Sequence, residues 1–134
     1  MAELEVALVA ADRLVWSGRA SMVIAKTADG DVGVLPGHQP VMSVLKPSVA
    51  TIKTVEDGAA GPVLKVALHG GFIAVDENKV SLLSEAAELA DEIDATRAEA
   101  ALARARAGEY GADSEAAAAR AEVRLRAIGR EVHA

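Results

Sequence analysis

The residue pattern of this sequence changes near Ser84. Up to that point apolar residues tend to recur at every second position, as Leu4, Val6 and Leu8 do in the first segment. A period of two is typical of strands with one buried face. After Ser84, β-branched residues become rare and alanine, the strongest helix former, dominates. The pattern predicts an α+β chain, with a β-rich part followed by a helical part.

The β-rich part, residues 1–86, is predicted to form an antiparallel sandwich or barrel. After the first segment, strands are expected near residues 15–16, 21–26, 31–35, 42–46, 48–55, 63–68, 71–75 and 79–83. Dipeptides rich in Gly, Pro and Asp separate them and are typical of turns; examples are Asp57-Gly58 and Gly61-Pro62. The last strand is predicted to end just before the alanine-rich part.

Residues 87–134 are predicted to form an antiparallel hairpin of two helices. The first helix is expected from about Ala90 to Ala107, and the second from an N-cap at Asp113 or Ser114 to about Val132. The predicted apolar stripes are Leu89, Ile93, Ala100 and Ala107 on the first helix, and Ala117, Ala121, Leu125, Ile128 and Val132 on the second. Because small side chains bury little area, the hairpin is expected to be marginally stable alone and to dock on another surface.

Composition excludes several classes of function. The net charge of -6 argues against a nucleic-acid partner, since binding to a phosphate backbone depends on clustered Lys and Arg. The absence of cysteine excludes disulfides and thiolate chemistry. No apolar run approaches the roughly 18 residues that span a bilayer, so no direct membrane insertion is expected. Any association with a membrane is therefore expected to go through another protein.

Catalytic motifs are absent as well. The sequence contains no G-x-x-x-x-G-K-[ST] phosphate-binding loop, no H-E-x-x-H and no G-x-S-x-G. Asp31, His38 and His69 lack the spacing of metal ligands. We therefore expect no enzymatic activity, no metal site and no required cofactor.

Four arginines of the helical part suggest a binding site. On an ideal helix at about 100° per residue, Arg97 and Arg104 lie about 40° and 20° from Ile93, which places both on the predicted packing face. Arg120 and Arg124 are four residues apart on the second helix and would face the same groove. Four converging guanidinium groups suit a polyphosphate. The alternative is pairing along the first helix with its acidic residues, which are Glu88, Asp91, Asp94 and Glu99.

The stretch from Gly30 to Pro40 resembles a known signature. Its residues follow the pattern G-x-x-G-x-L-P-x-H-x-P, and Leu45-Lys46-Pro47 follows shortly after. This pattern is similar to the signature of the epsilon subunit of F-type ATP synthases. Further matches are spread along the chain: Trp16-Ser17-Gly18, Gly70-Gly71-Phe72-Ile73-Ala74-Val75, Val80-Ser81-Leu82-Leu83, Ala86 and Glu88. The resemblance therefore covers essentially the whole sequence.

The resemblance implies a non-catalytic rotor subunit of a bacterial ATP synthase, peripheral at the cytoplasmic face of the cell membrane. The β-domain would bind the gamma subunit and rest on the c-ring, with Asp31 and His38 nearest that contact. The helical hairpin would regulate ATP hydrolysis at the alpha/beta catalytic head, inhibiting it when extended along gamma and permitting it when folded onto the β-domain.

The resemblance also implies ATP as a possible regulatory ligand. Some bacterial epsilon subunits bind ATP through an I/L-D-x-x-R-A motif and downstream arginines. The matching positions here are Glu88, Ile93, Asp94, Arg97, Ala98, Arg104, Arg120 and Arg124. Two alternatives remain open: a free-standing nucleotide-sensing β-domain with a helical hairpin, and a small hydrolase.

Overall fold

In the computed structural model, which describes residues 2–130, nine strands precede two α-helices. The strands are β1 (Leu4–Ala10), β2 (Leu14–Thr27), β3 (Gly30–Val34), β4 (Val41–Leu45), β5 (Ser48–Glu56), β6 (Ala59–Leu68), β7 (Gly71–Asp76), β8 (Lys79–Ser84) and β9 (Ala87–Leu89). The helices are α1 (Ala95–Arg106) and α2 (Ser114–Ala127), with single 3-10 turns at Ala90–Glu92 and Gly111–Asp113. A β-sandwich followed by a two-helix segment confirms the predicted fold class.

The long strand β2 joins the two parts of the sheet. One part runs in the order β1-β8-β7-β4-β2 and the other in the order β2-β5-β6-β9, with β3 also on β2. β1 pairs with β2 as well, so the first part closes on itself. Among the described strands, β1 and β8 pair in parallel while the other pairings are antiparallel. This parallel pair departs from the all-antiparallel prediction.

Alternation along the strands builds the core. Most of the inward side chains are aliphatic; the largest that are fully buried are Leu4, Leu8, Ile52, Leu68, Ile73 and Leu82. The intervening residues of β1 and β5 are partly or fully exposed. Because one face of each strand supplies the core, the register of the sheet is fixed by this pattern.

Two strands are longer than predicted. The segments expected at 15–16 and 21–26 form the single strand β2, which bends at a register shift between Ala20 and Met22. Residue 18 of this strand is a glycine because the Trp16 ring lies over its Cα. A Cβ at this position would stand 2.6 Å from the ring. Gly61-Pro62, predicted as a turn, lies within β6, and Thr54 donates its hydroxyl hydrogen to the Pro62 carbonyl.

The helical part starts later than predicted. Ala87–Leu89 pairs with β6, so the sheet extends three residues beyond the expected boundary at residue 86. α1 then begins at Ala95, with Asp94 as its N-cap, instead of near Ala90. α2 begins at Ser114, as expected, and ends at Ala127; Val132, the predicted end, lies outside the described residues. No helix in residues 2–130 is long and apolar enough to cross a membrane.

The two helices pack on each other and α2 packs on the sheet. Their shared core contains Ala98, Leu102, Ala121 and Leu125. Half of the stripe predicted for the first helix was wrong, since Ala100 and Ala107 are exposed. Its other members, Leu89 and Ile93, precede α1 and are partly buried. On α2, Ala121 and Leu125 are buried against α1 as predicted.

A second apolar face of α2 was not predicted. There Val123 and Ala127 cover Ala67 of β6, with Val49, Ala90 and Ile93 packed around them. We call this group of six residues the docking cluster.

Candidate functional site

A groove of about 240 Å³ lies where β9, the start of α1 and α2 meet. Six of the eight residues predicted to bind a nucleotide line it: Glu88, Ile93, Asp94, Arg97, Ala98 and Arg124. Glu92 and Ala101 complete the lining. The groove therefore joins a strand of the sandwich to both helices, and a ligand bound in it would contact the sheet and the hairpin together.

Glu88 is the centre of the polar contacts in this groove. Nε of Arg124 donates to its Oε1 at 2.6 Å, and Nε2 of His69 lies 3.3 Å from the same oxygen. The side chains of Glu88 and Arg124 are each 29% exposed. The Glu88–Arg124 pair thus links β9 to α2 in a partly buried place, where charge-assisted hydrogen bonds are stronger than at the open surface.

The same contacts lower the pKa of Glu88 from 4.5 to about 2. The hydrogen bond from His69 is the largest cause; burial opposes it, and the hydrogen bond and charge of Arg124 lower the pKa further. Since the folded-state pKa lies below the unfolded value, the Glu88 carboxylate stabilises the fold at pH above about 4.5. This contribution is lost progressively as the pH falls toward about 2.

Most of the I-D-x-x-R-A motif also has a structural role. Ile93 packs in the docking cluster, and the Asp94 carboxylate accepts a hydrogen bond from the backbone N–H of Arg97 at 3.1 Å. This is the standard N-cap contact. Ala98 is buried against α2. Only the side chain of Arg97 lacks a structural partner among the described residues, which makes it the member of the motif best placed to serve a ligand.

The predicted convergence of four arginines is wrong for the docked hairpin. Arg97 and Arg104 are exposed, because Ile93 precedes α1 and therefore does not set the phase of its packing face. Arg104 lies about two turns beyond Arg97, and Arg120 one turn before Arg124, both toward the connection between the helices. Neither lines the groove.

The two residues predicted at the c-ring contact lie at opposite ends of β3. Asp31 is exposed beside the β2–β3 turn, in register with Lys26. His38 follows the far end of β3, half-buried, with its backbone N–H donating to the Leu35 carbonyl at 3.1 Å. From Asp31 to Val34 the strand rises about 10 Å, which separates Asp31 from the turn that carries His38.

Sequence reasoning missed two parts of the site. The sequence pattern assigned no place in this groove to His69, whose side chain is 5% exposed and contacts Glu88. Ala67, on the outward face of β6 with Val63 and Lys65, is fully buried because α2 covers it. The available signal in the sequence was the small apolar side chain of Ala67 on the outward face of β6, since such a position can be covered by a helix.

Comparison with known proteins places this architecture in a class. A family described as "ATP synthase, Delta/Epsilon chain, beta-sandwich domain" matches residues 3–90. The β-sandwich therefore belongs to the delta/epsilon-chain class of ATP synthase subunits. The residues beyond it form the helical part.

Relatives that match along the full length of the chain identify the subunit more specifically. The ATP synthase epsilon chain of Streptomyces avermitilis is 56% identical over 127 residues, covering 95% of this chain and 96% of the relative. That of Corynebacterium diphtheriae is 40% identical over the whole of both chains. A chain of the Euglena gracilis mitochondrial ATP synthase, solved by cryo-EM as OSCP/F1/c-ring, superposes with a TM-score of 0.68 at 26% identity, covering 93% of this chain and 76% of that one.

The chain belongs to the ATP synthase epsilon-chain family. It is accordingly a non-catalytic subunit of the central stalk of ATP synthase, as the resemblance at the Gly/Pro-rich stretch implied.

Proposed function

We propose that this subunit passes rotation between the membrane-embedded c-ring and the alpha/beta catalytic head while bound to gamma, at the cytoplasmic face of a bacterial cell membrane. Its hairpin is a brake on ATP hydrolysis. The observation that supports the brake is the small contact holding the hairpin to the sheet, which consists of the docking cluster and the Glu88–Arg124 pair. Asp31 and His38 are proposed as c-ring or gamma contacts.

A small docking contact is suited to a hairpin that alternates between a docked and an extended position. Ala67 and Ala127 contribute only methyl groups, and each buried methyl-sized group stabilises by about 1 kcal/mol or less. The docked and extended positions can therefore differ by only a few kcal/mol. A ligand or a partner surface that favours one position shifts the population by its differential affinity.

ATP is the proposed regulatory ligand of the groove. Arg97 offers an exposed guanidinium, and Arg124 would exchange the Glu88 carboxylate for a phosphate oxygen. Because the groove is formed by the sheet and both helices, bound ATP would favour the docked hairpin. Abundant ATP would thereby keep the brake released.

Titration of the isolated protein with ATP tests the ligand. We expect the melting temperature to rise with the logarithm of the ATP concentration, with a stabilisation of about 2.7 kcal/mol once ATP exceeds its dissociation constant a hundredfold. Arg97→Ala should remove this rise, because it deletes the exposed guanidinium of the groove. Arg126→Ala is the matched control: it removes an arginine of α2 that lies outside the groove and should keep the rise. No rise at millimolar ATP, with or without magnesium, would exclude the regulatory ligand.

A pull-down from detergent-solubilised membranes tests the assembly. We expect an affinity-tagged chain to recover gamma, the c-ring and the alpha and beta subunits, with the untagged chain as the control for background. Recovery of the chain alone would favour the free-standing nucleotide sensor, the second candidate, which the groove by itself also fits. Such a sensor would have no need of the Gly30–Pro40 stretch.

A further inference from the structure

His69 is a buried histidine at the junction of sheet and hairpin. It lies in the turn between β6 and β7, and its backbone N–H donates to the Ala86 carbonyl at 3.1 Å. Its side chain is 5% exposed. The turn therefore holds the imidazole at a fixed place directly beside β9, which carries Glu88.

The imidazole and Arg124 meet at one oxygen atom. Nε2 of His69 lies 3.3 Å and Nε of Arg124 2.6 Å from Oε1 of Glu88. Nδ1 of His69 is buried and has no hydrogen-bond partner among the described residues. A buried N–H without an acceptor is costly, so the favoured neutral form carries its proton on Nε2, where Glu88 accepts it. His69 thus donates to the carboxylate from the sheet side while Arg124 donates from the hairpin side.

We propose that His69 is a positioning residue that holds the Glu88 carboxylate against Arg124 and so latches the hairpin onto the sheet without nucleotide. The latch consists of His69, Glu88 and Arg124. It deepens the proposed function and rests on it, because Glu88 takes the place on Arg124 that a phosphate oxygen of ATP would take. Docking and ATP binding are nevertheless measured separately.

Hydrogen exchange of the full chain without nucleotide tests the latch. His69→Phe keeps a ring of similar size but removes the donor, and we expect the amides of α2 to exchange about tenfold faster. The amides of β1 and β8 should exchange at the wild-type rate. His69→Gln retains an N–H donor of similar reach and should bring α2 back to within about threefold of wild type.

A double-mutant cycle separates positioning from packing. Glu88→Gln alone should accelerate exchange of α2, and His69→Phe added to it should have no further effect. Full additivity of the two substitutions, equal effects of Phe and Gln at residue 69, or no acceleration with Phe would each overturn the latch.

A measurement on the unaltered protein keeps the inference testable even if a variant folds poorly. The imidazole nitrogen-15 spectrum should show that Nε2 of His69 carries a hydrogen. A proton on Nδ1 alone would overturn the proposal. Loss of the ATP-induced rise with the latch intact would instead count against the regulatory ligand, so the two failures are distinguishable.

Discussion

Replacement of Gly71 by alanine is expected to lower the free energy of unfolding by about 3–5 kcal/mol, the largest single-residue effect we anticipate. Gly71 has φ +121°, and a Cβ there would stand 1.8 Å from the Leu83 carbonyl oxygen and 2.7 Å from Cα of Ser84. These are backbone atoms of β8 that cannot move without breaking the β7–β8 pairing. Urea unfolding followed by far-UV circular dichroism and Trp16 fluorescence measures the loss.

The adjacent glycine is the matched control for this substitution. Gly70 also has positive φ, +88°, but an added Cβ would meet nothing within 4 Å. Gly70→Ala should therefore cost only the strain of the left-handed backbone, about 1–2 kcal/mol. Equal losses for the two variants would contradict the role of the close approach.

The sequence predicted the sandwich and the hairpin because both depend on local patterns. Alternation along β1 and alanine enrichment after Ser84 each follow from one chain segment alone. The parallel pairing of β1 with β8 was not accessible in this way, since it joins residues more than 70 positions apart. The start of α1 was predicted too early because Ala87–Leu89 forms strand β9 instead of helix. This strand forms because the edge of β6 is available for pairing, which a local pattern does not show.

The sequence predicted only part of the candidate groove, because the faces of the helices depend on where each helix begins. Glu88, Arg97 and Arg124, which the resemblance assigned to an ATP site, line one groove. The phase of α1 was counted from Ile93, which precedes the helix, so Arg97 and Arg104 were wrongly assigned to its packing face. An error of a few residues in a helix boundary rotates every inferred face, because each residue turns the helix by about 100°.

The docking cluster suggests the second large effect, at Ala67. This residue lies on the outward face of β6, is fully buried, and contacts Val123 and Ala127 of α2. Ala67→Glu would bury a carboxylate under the helix, beside the Glu88 carboxylate that is paired with residue 67 across β6 and β9. Desolvation and like-charge repulsion there cost several kcal/mol, which exceeds what a cluster of small side chains stabilises. We therefore expect α2 to leave the sheet while the sandwich core, which faces the other side of β6, stays folded.

Hydrogen exchange would measure this undocking directly. The amides of α2 in Ala67→Glu should exchange at least about 100-fold faster, equivalent to about 3 kcal/mol, while those of β1 and β8 should be unchanged. Val63→Glu is the matched control, because Val63 lies on the same face of the same strand but is 55% exposed. Within the assembled ATP synthase, Ala67→Glu should also slow ATP hydrolysis relative to Val63→Glu, since the undocked hairpin is free to reach the catalytic head. Equal exchange rates in the two variants would show that the cluster does not hold the hairpin, and faster exchange without slower hydrolysis would separate the docking contact from the brake.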